Sequence, residues 1–298
     1  MDKEQIDATV AKMSEYGDPP ENVVVHGEVP VPTGFANLDW DQYNALDAVR
    51  SSWLKAMKRS PAACKLAMGE GGADTRAMRM GRALHARVLE PLDEKVIPKT
   101  WDGRTAEGKQ IAAMIPADAI VLKQEDYDAV GEMALSLRTH PTISRMLVNA
   151  SIMEQSIVWK RNERLCKARI DCAKTIPCPE TISLRCDWVA DIKSTKDIER
   201  FSPYAMTNYS YHCQAAWYLS AFHFLGMKPP EHFYFFVVAN TAPFESAVFR
   251  LDGESLSQGL EETNALFDEF IQCEKDDQWT RHEKSLLVAK TFQPRQDA

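Results

Sequence analysis

Asp187-Trp188-Val189-Ala190-Asp191-Ile192-Lys193-Ser194-Thr195 decides how the chain folds. It reads as an apolar β-strand that turns charged at its end. Strand alternation puts Asp191 and Lys193 on one face, about 6–7 Å apart by the usual rise, while Ile192 points the other way. A carboxylate and an ammonium are thus aimed at one place. Upstream, Arg169-Ile170-Asp171 closes another apolar run and brings a second carboxylate to the end of a neighbouring strand. Two carboxylates converging there can hold Mg²⁺ or Mn²⁺, which prefer oxygen ligands. Phosphodiester hydrolysis needs such an ion to ready water and offset developing charge, and a cation to orient or deprotonate that water. An Asp-x-Lys tripeptide alone is more often a solvated salt bridge, so the rest of the chain has to decide.

Outward from this strand, Ile152 to Trp159, the polar turn Lys160 to Arg164, and Leu165 to Ile170 read as a β-hairpin. On the other side, a helix is expected from about Tyr204 to Leu225, closed by Gly226 with Pro229 beyond it. Strands at His232–Ala239 and Ala247–Leu251 and an amphipathic helix from Gly253 to Cys273 complete the second half. In the first half, Leu46, Val49, Trp53, Leu54 and Met57 space a helix that begins near Asp39 and breaks at Ser60-Pro61. Further helices are expected from Ala73 to Leu89, with His85 inside it, and from Glu125 to Arg138. Residues 92–118 read as loop and short helix. Residues 1–36, with Pro19-Pro20, Pro30 and Pro32, read as a flexible or strap-like arm, leaving 37–298 as a single domain. The order predicts an α/β fold, a mixed central sheet flanked by helices with a helical N-terminal lead-in.

Composition narrows the function. With 298 residues, 45% of them hydrophobic and 26% charged, the chain is near the upper size one core serves and expects a buried interior. No run approaches the ~20 apolar residues of a membrane span, and the acidic start MDKEQIDATVAKM lacks a secretory n-region. A cytoplasmic protein that does not enter membranes is expected. Seven cysteines, without CxxC spacing, read as reduced thiols. The Cys166 to Cys186 intervals are too wide and even for an iron–sulfur site. A net charge of −8 and a pI near 5.5 argue against coating nucleic acid nonspecifically. They leave room for a local basic groove or ring channel, because an acidic metal centre itself supplies negative charge.

Four motifs in order carry a resemblance. Gly81-Arg82-Ala83-Leu84-His85 forms GxxxH, Ala168-Arg169-Ile170-Asp171 is similar to GRID, Asp191-Ile192-Lys193-Ser194-Thr195 is similar to DxKT, and Gln214-Ala215-Ala216-Trp217-Tyr218 forms QxxxY. Together they resemble the RecB-like nuclease domains of the PD-(D/E)XK superfamily. The longer stretches Leu165–Asp171, Asp187–Thr195 and Tyr211–Tyr218, with Ser60-Pro61 upstream, resemble RecE-type exonucleases, the nuclease domain of exodeoxyribonuclease VIII, over about Asn44 to Phe270. Ala168 stands where GRID has glycine, and Ser194 departs from the usual residue after the lysine.

The resemblance implies a PD-(D/E)XK restriction-endonuclease-like core and an active centre binding Mg²⁺, with Mn²⁺ as a substitute, at two ions per site. Asp171 and Asp191 would be metal ligands, with His85 and Glu154 completing the shell, and Lys193 the catalytic lysine. Gln214 and Tyr218, four apart on one helical face, would orient Lys193 or contact a phosphate. The implied activity is a 5′-to-3′ exonuclease that resects linear double-stranded DNA, leaving a 3′ overhang for a single-strand annealing protein, as in phage recombination pairs. A homo-oligomeric ring, a tetramer, is the implied assembly. The alternative is a catalytically silent or endonucleolytic PD-(D/E)XK protein that binds or processes DNA ends.

Overall fold

A computed structural model describes residues 33–281 except 70–73, 93, 178–183, 203–204, 206–207 and 231. Residues 1–32 of the expected arm, and the expected element starts at Ala73 and Tyr204, lie outside the described residues. The end of that arm, Gly34–Ala36, forms strand β1. β4 (Ile152–Arg161), β5 (Arg164–Pro177), β6 (Leu184–Thr195), β7 (His232–Ala239) and β8 (Ser246–Arg250) join it in a six-stranded sheet, ordered β1-β4-β5-β6-β7-β8. Among the described residues of this sheet, the β6–β7 pairing is parallel and the others are antiparallel. The β4–β5 hairpin turns through Asn162 and Glu163, both at positive φ (47° and 62°), the conformation a two-residue turn needs to match strand twist. β2 (Val96–Pro98) and β3 (Ile120–Leu122) pair as a separate parallel ribbon.

Helices cover both faces. The α-helices are α1 (Trp40–Ala45), α2 (Ser51–Met57), α3 (Pro61–Gly69), α4 (Arg76–Leu89), α5 (Ala106–Ala113), α6 (Gln124–Thr139), α7 (Pro141–Asn149), α8 (Tyr211–Phe224) and α9 (Gly253–Asp276). One core joins α2, α8 and α9 to the sheet through Trp53, Trp217, Phe267 and Phe270, with Trp159, Val189, Phe233 and Phe235 from the strands. The other joins α4, α6 and α7 through Leu84, Met133 and Ile143, with Trp188, Ala190, Ile192 and Phe236. Alternating residues of β6 and β7 therefore serve opposite cores, as strands buried on both faces do. The result is a PD-(D/E)XK nuclease core, a central mostly antiparallel sheet between helices.

Three expectations need correction. The single helix expected from Asp39 is two, α1 and α2, because Val49 leaves the helical path to exchange backbone hydrogen bonds with β5: its N–H reaches Leu165 O and its O accepts from Lys167 N, both at 2.8 Å. The 92–118 segment contributes a strand as well as a helix. Asp171 does not end its strand, since β5 runs on through buried Cys172 and Ala173.

Candidate active site

Where β5 meets β4, a backbone irregularity builds the site. The rungs Met153↔Cys172 and Gln155↔Ile170 flank the position at which Glu154 and Asp171 face each other. There Glu154 adopts φ +46°, a left-handed conformation that costs a non-glycine residue ~1–3 kcal/mol unless its surroundings hold it. The break also changes which way β5 presents its side chains: Ile170 and Cys172, two apart, belong to opposite cores. On the other side of β5, pairing with β6 runs no further than Cys172↔Ala190. The next β6 amide facing β5, Ile192 N–H, donates instead to Asp171 Oδ2 at 2.6 Å. Asp171 thus sits where two strands part.

His85 enters from α4, whose N-cap Thr75 accepts from Met78 N and whose Ala83, Leu84 and Val88 anchor it to the core. Its Nε2 lies 3.2 Å from Ile192 O. A carbonyl only accepts, so this nitrogen carries the proton. Nδ1 then faces Glu154 Oε1 at 3.3 Å and Asp171 Oδ1 at 3.4 Å. Burial opposes an imidazolium there, but the charges of Asp171, Glu154 and Asp191 outweigh it and raise the pKa to about 9. Burial and the neighbouring Asp191 charge raise Asp171 to about 7, with His85 pulling the other way. Glu154 moves oppositely: burial would raise it, but hydrogen bonds from His85 and Arg169 keep it below the usual carboxylate range. Arg169 Nε holds Glu154 Oε2 at 2.9 Å while its Nη1 donates to Leu38 O.

Lys193 closes the site from β6. Its Nζ pairs with Asp191 and lies 4.6 Å from the Tyr211 ring centroid. Burial disfavours the ammonium, yet Asp191, Tyr211 and Asp171 raise its pKa above the ordinary lysine value. Gln214 Nε2 lies 3.1 Å from Asp191 Oδ1 and 3.0 Å from Tyr218 OH. The expected brace is therefore present but grips Asp191 rather than Lys193.

All seven residues singled out in the sequence converge on this site. His85, Glu154 and Asp171 bring their ligand atoms within 4.8 Å of one another; Asp191 lies beside them. The donors fit a hard divalent cation: carboxylate oxygens, one of which, Glu154 Oε1, is buried and faces the His85 ring at 3.3 Å, and one imidazole whose tautomer Ile192 fixes. Arg169 and Tyr211 were missed. Arg169 stands two residues before Asp171, as strand alternation would have allowed, whereas nothing in the sequence marks Tyr211 as a neighbour of Lys193.

The family described as a PDDEXK-like domain of unknown function (DUF3799) matches residues 50–288. Among solved structures, a crystal structure named "Putative exonuclease" from Eubacterium rectale matches with a TM-score of 0.59 at 10% identity, covering 87% of this chain and 97% of that one. At such identity the likeness is one of fold. No curated protein matches the chain. None of the helices among the described residues is long and apolar enough to cross a membrane.

Proposed function

The chain belongs to the family of PDDEXK-like domains (DUF3799), and from its active-site geometry we propose that it is a metal-dependent exonuclease of RecE type acting on duplex DNA ends. The observation that carries this reading is the position of His85 Nδ1 between Glu154 and Asp171, with Asp191 and Lys193 alongside. Without a cation, a proton on Nδ1 balances the two carboxylates. Glu154, Asp171, Asp191 and His85 would hold Mg²⁺, or Mn²⁺ in its place, with two ions in reach of the three carboxylates. Such ions supply a bound water of lowered pKa and offset charge on the phosphoryl oxygens.

The protein's own groups do the rest. Lys193, kept charged by Asp191, orients the attacking water or a phosphate oxygen as a donor. Gln214 fixes Asp191 through a hydrogen bond, and Arg169 fixes Glu154. Beside them lies a cavity of about 210 Å³ lined by Ser51, Ser52, Lys55, Lys58 and Ser210, and it shares Tyr211 and Gln214 with the active site. Lys55 in the cavity wall stands close enough to Lys193 for that charge, after burial, to lower its pKa, and two neighbouring ammonium groups suit a DNA phosphate. In this reading, 5′-to-3′ resection leaves a 3′ overhang for an annealing partner.

The test compares linear duplex, labelled at either end, with covalently closed circles. Loss of the linear form only with Mg²⁺ or Mn²⁺, early release of the 5′ label and intact circles support the reading. Nicked circles would make the protein an endonuclease, and end binding without cleavage would make it an end-binding factor.

A further inference from the structure

We propose that His212, Cys213 and Glu262 form a second cation site, selective for a borderline-soft ion such as Zn²⁺, that ties the start of α8 to α9. His212 Nε2 lies 3.4 Å from Glu262 Oε1, Cys213 Sγ lies 3.5 Å from Glu262 Oε2, and Sγ lies 3.5 Å from His212 Nε2. A tetrahedral zinc ion, with bonds of about 2.0–2.2 Å to nitrogen and oxygen and about 2.3 Å to sulfur, needs donor separations of roughly 3.3–3.6 Å. Sγ and Nε2 already stand at that spacing, each faces a different oxygen of Glu262, and one ligand atom from each of the three side chains lies within 4.8 Å of the others, so a small turn of the Glu262 carboxylate completes the set. They offer one nitrogen, one sulfur and one carboxylate, whereas the active site offers only oxygen and imidazole donors. Thiolate selects zinc over magnesium.

The surroundings allow entry and a fourth ligand. Cys213 is part of the wall of the 210 Å³ cavity, so water can complete the coordination from that side. His212 is buried and Glu262 is partly exposed, leaving one rigid and one adjustable donor. Burial and the Glu262 charge push the Cys213 thiol up to about 12, so without an ion the sulfur keeps its proton. On binding, the Cys213 S–H bond breaks, its proton goes to solvent and a metal–sulfur bond forms. Thiolate and carboxylate then balance the ion's two positive charges. Without an ion, Lys58 Nζ at 2.7 Å from Oε2 and Gln258 Nε2 at 2.9 Å from Oε1 hold the Glu262 carboxylate, and the ion takes over from one of these donors the oxygen that it binds.

The position has a consequence for the active site. His212 and Cys213 directly precede Gln214, which holds Asp191, so an ion here fixes the helix start from which that brace extends. The inference does not depend on the proposed activity.

The test is titration of the chelator-treated full chain with Co²⁺, a spectroscopic stand-in for Zn²⁺. A thiolate-to-cobalt charge-transfer band that saturates at about one ion per chain and is displaced by Zn²⁺ is the expected result. The band should vanish in Cys213→Ser and persist in Asp191→Asn, which disables only the carboxylate centre. Glu262→Gln should weaken Co²⁺ binding by about tenfold or more, and provides the test should Cys213→Ser not fold. No band, a band that survives Cys213→Ser, or unchanged affinity in Glu262→Gln would overturn the proposal.

Discussion

Asp171 governs the charge balance of the active site. Its folded-state pKa lies above its unfolded value, near 7 against 3.8, so its protonated form adds stability at low pH that is lost as pH rises through about 7. His85 is shifted upward too: its contribution is complete below about 6.5 and lost as pH rises through about 9. Both act in the same direction. The chelator-treated protein should therefore lose thermal stability between pH 5 and 9, and Mg²⁺ should raise Tm more at pH 8 than at pH 6. Asp171→Asn keeps an acceptor for Ile192 N–H but removes the charge, so it should raise the metal-free Tm at pH 8 and abolish the Mg²⁺ response. Thermal melts across pH check this, and a metal-free Asn variant less stable than the parent would contradict it. At this scale the sequence was informative where period and chemistry agreed, as for Asp171, Asp191 and Lys193. The left-handed Glu154 had no sequence signature, because glutamate rarely takes that conformation and only the parting of β4, β5 and β6 requires it here.

The elements follow the same division. Strands β4 to β7 were legible from their β-branched and aromatic runs, but charge at Asp171 does not end β5, because the residues after it are buried against the second core. Helix α8 was legible in existence rather than in pattern: its residues from Ala215 to Phe224 are buried on all sides, so no apolar stripe marks its active-site face. The α1–α2 break was hidden because a strand, not a local signal, captures Val49. α9 packs tightly on the start of α8 at Gly259, where a Cβ would come within 2.4 Å of the His212 carbonyl oxygen. Neither backbone can yield without moving its helix. Gly259→Ala should cost about 1–3 kcal/mol and lower nuclease activity by displacing Gln214. Urea unfolding measures the first effect, and an unchanged midpoint would show that the helices have slack.

For the whole molecule, the net charge of −8 means that the proposed DNA substrate would depend on a local cationic surface, for which Lys55 in the cavity wall beside Lys193 is the candidate. A closed ring of subunits would keep DNA from escaping between cuts. Light scattering at working concentration should give four chains' mass if the RecE-like assembly holds, and a monomer would contradict it. In the proposed function Asp171, Asp191, Lys193, His85 and Glu154 act as one hydrolytic centre. Its most direct test is the rate of nucleotide release from linear duplex DNA in Mg²⁺ by the parent chain, Asp191→Ala and Lys193→Ala. The parent should release nucleotide, chelator should abolish that release, and each folded variant should be slower by about a thousandfold or more. Release that persists in either variant, or without a divalent cation, would contradict it.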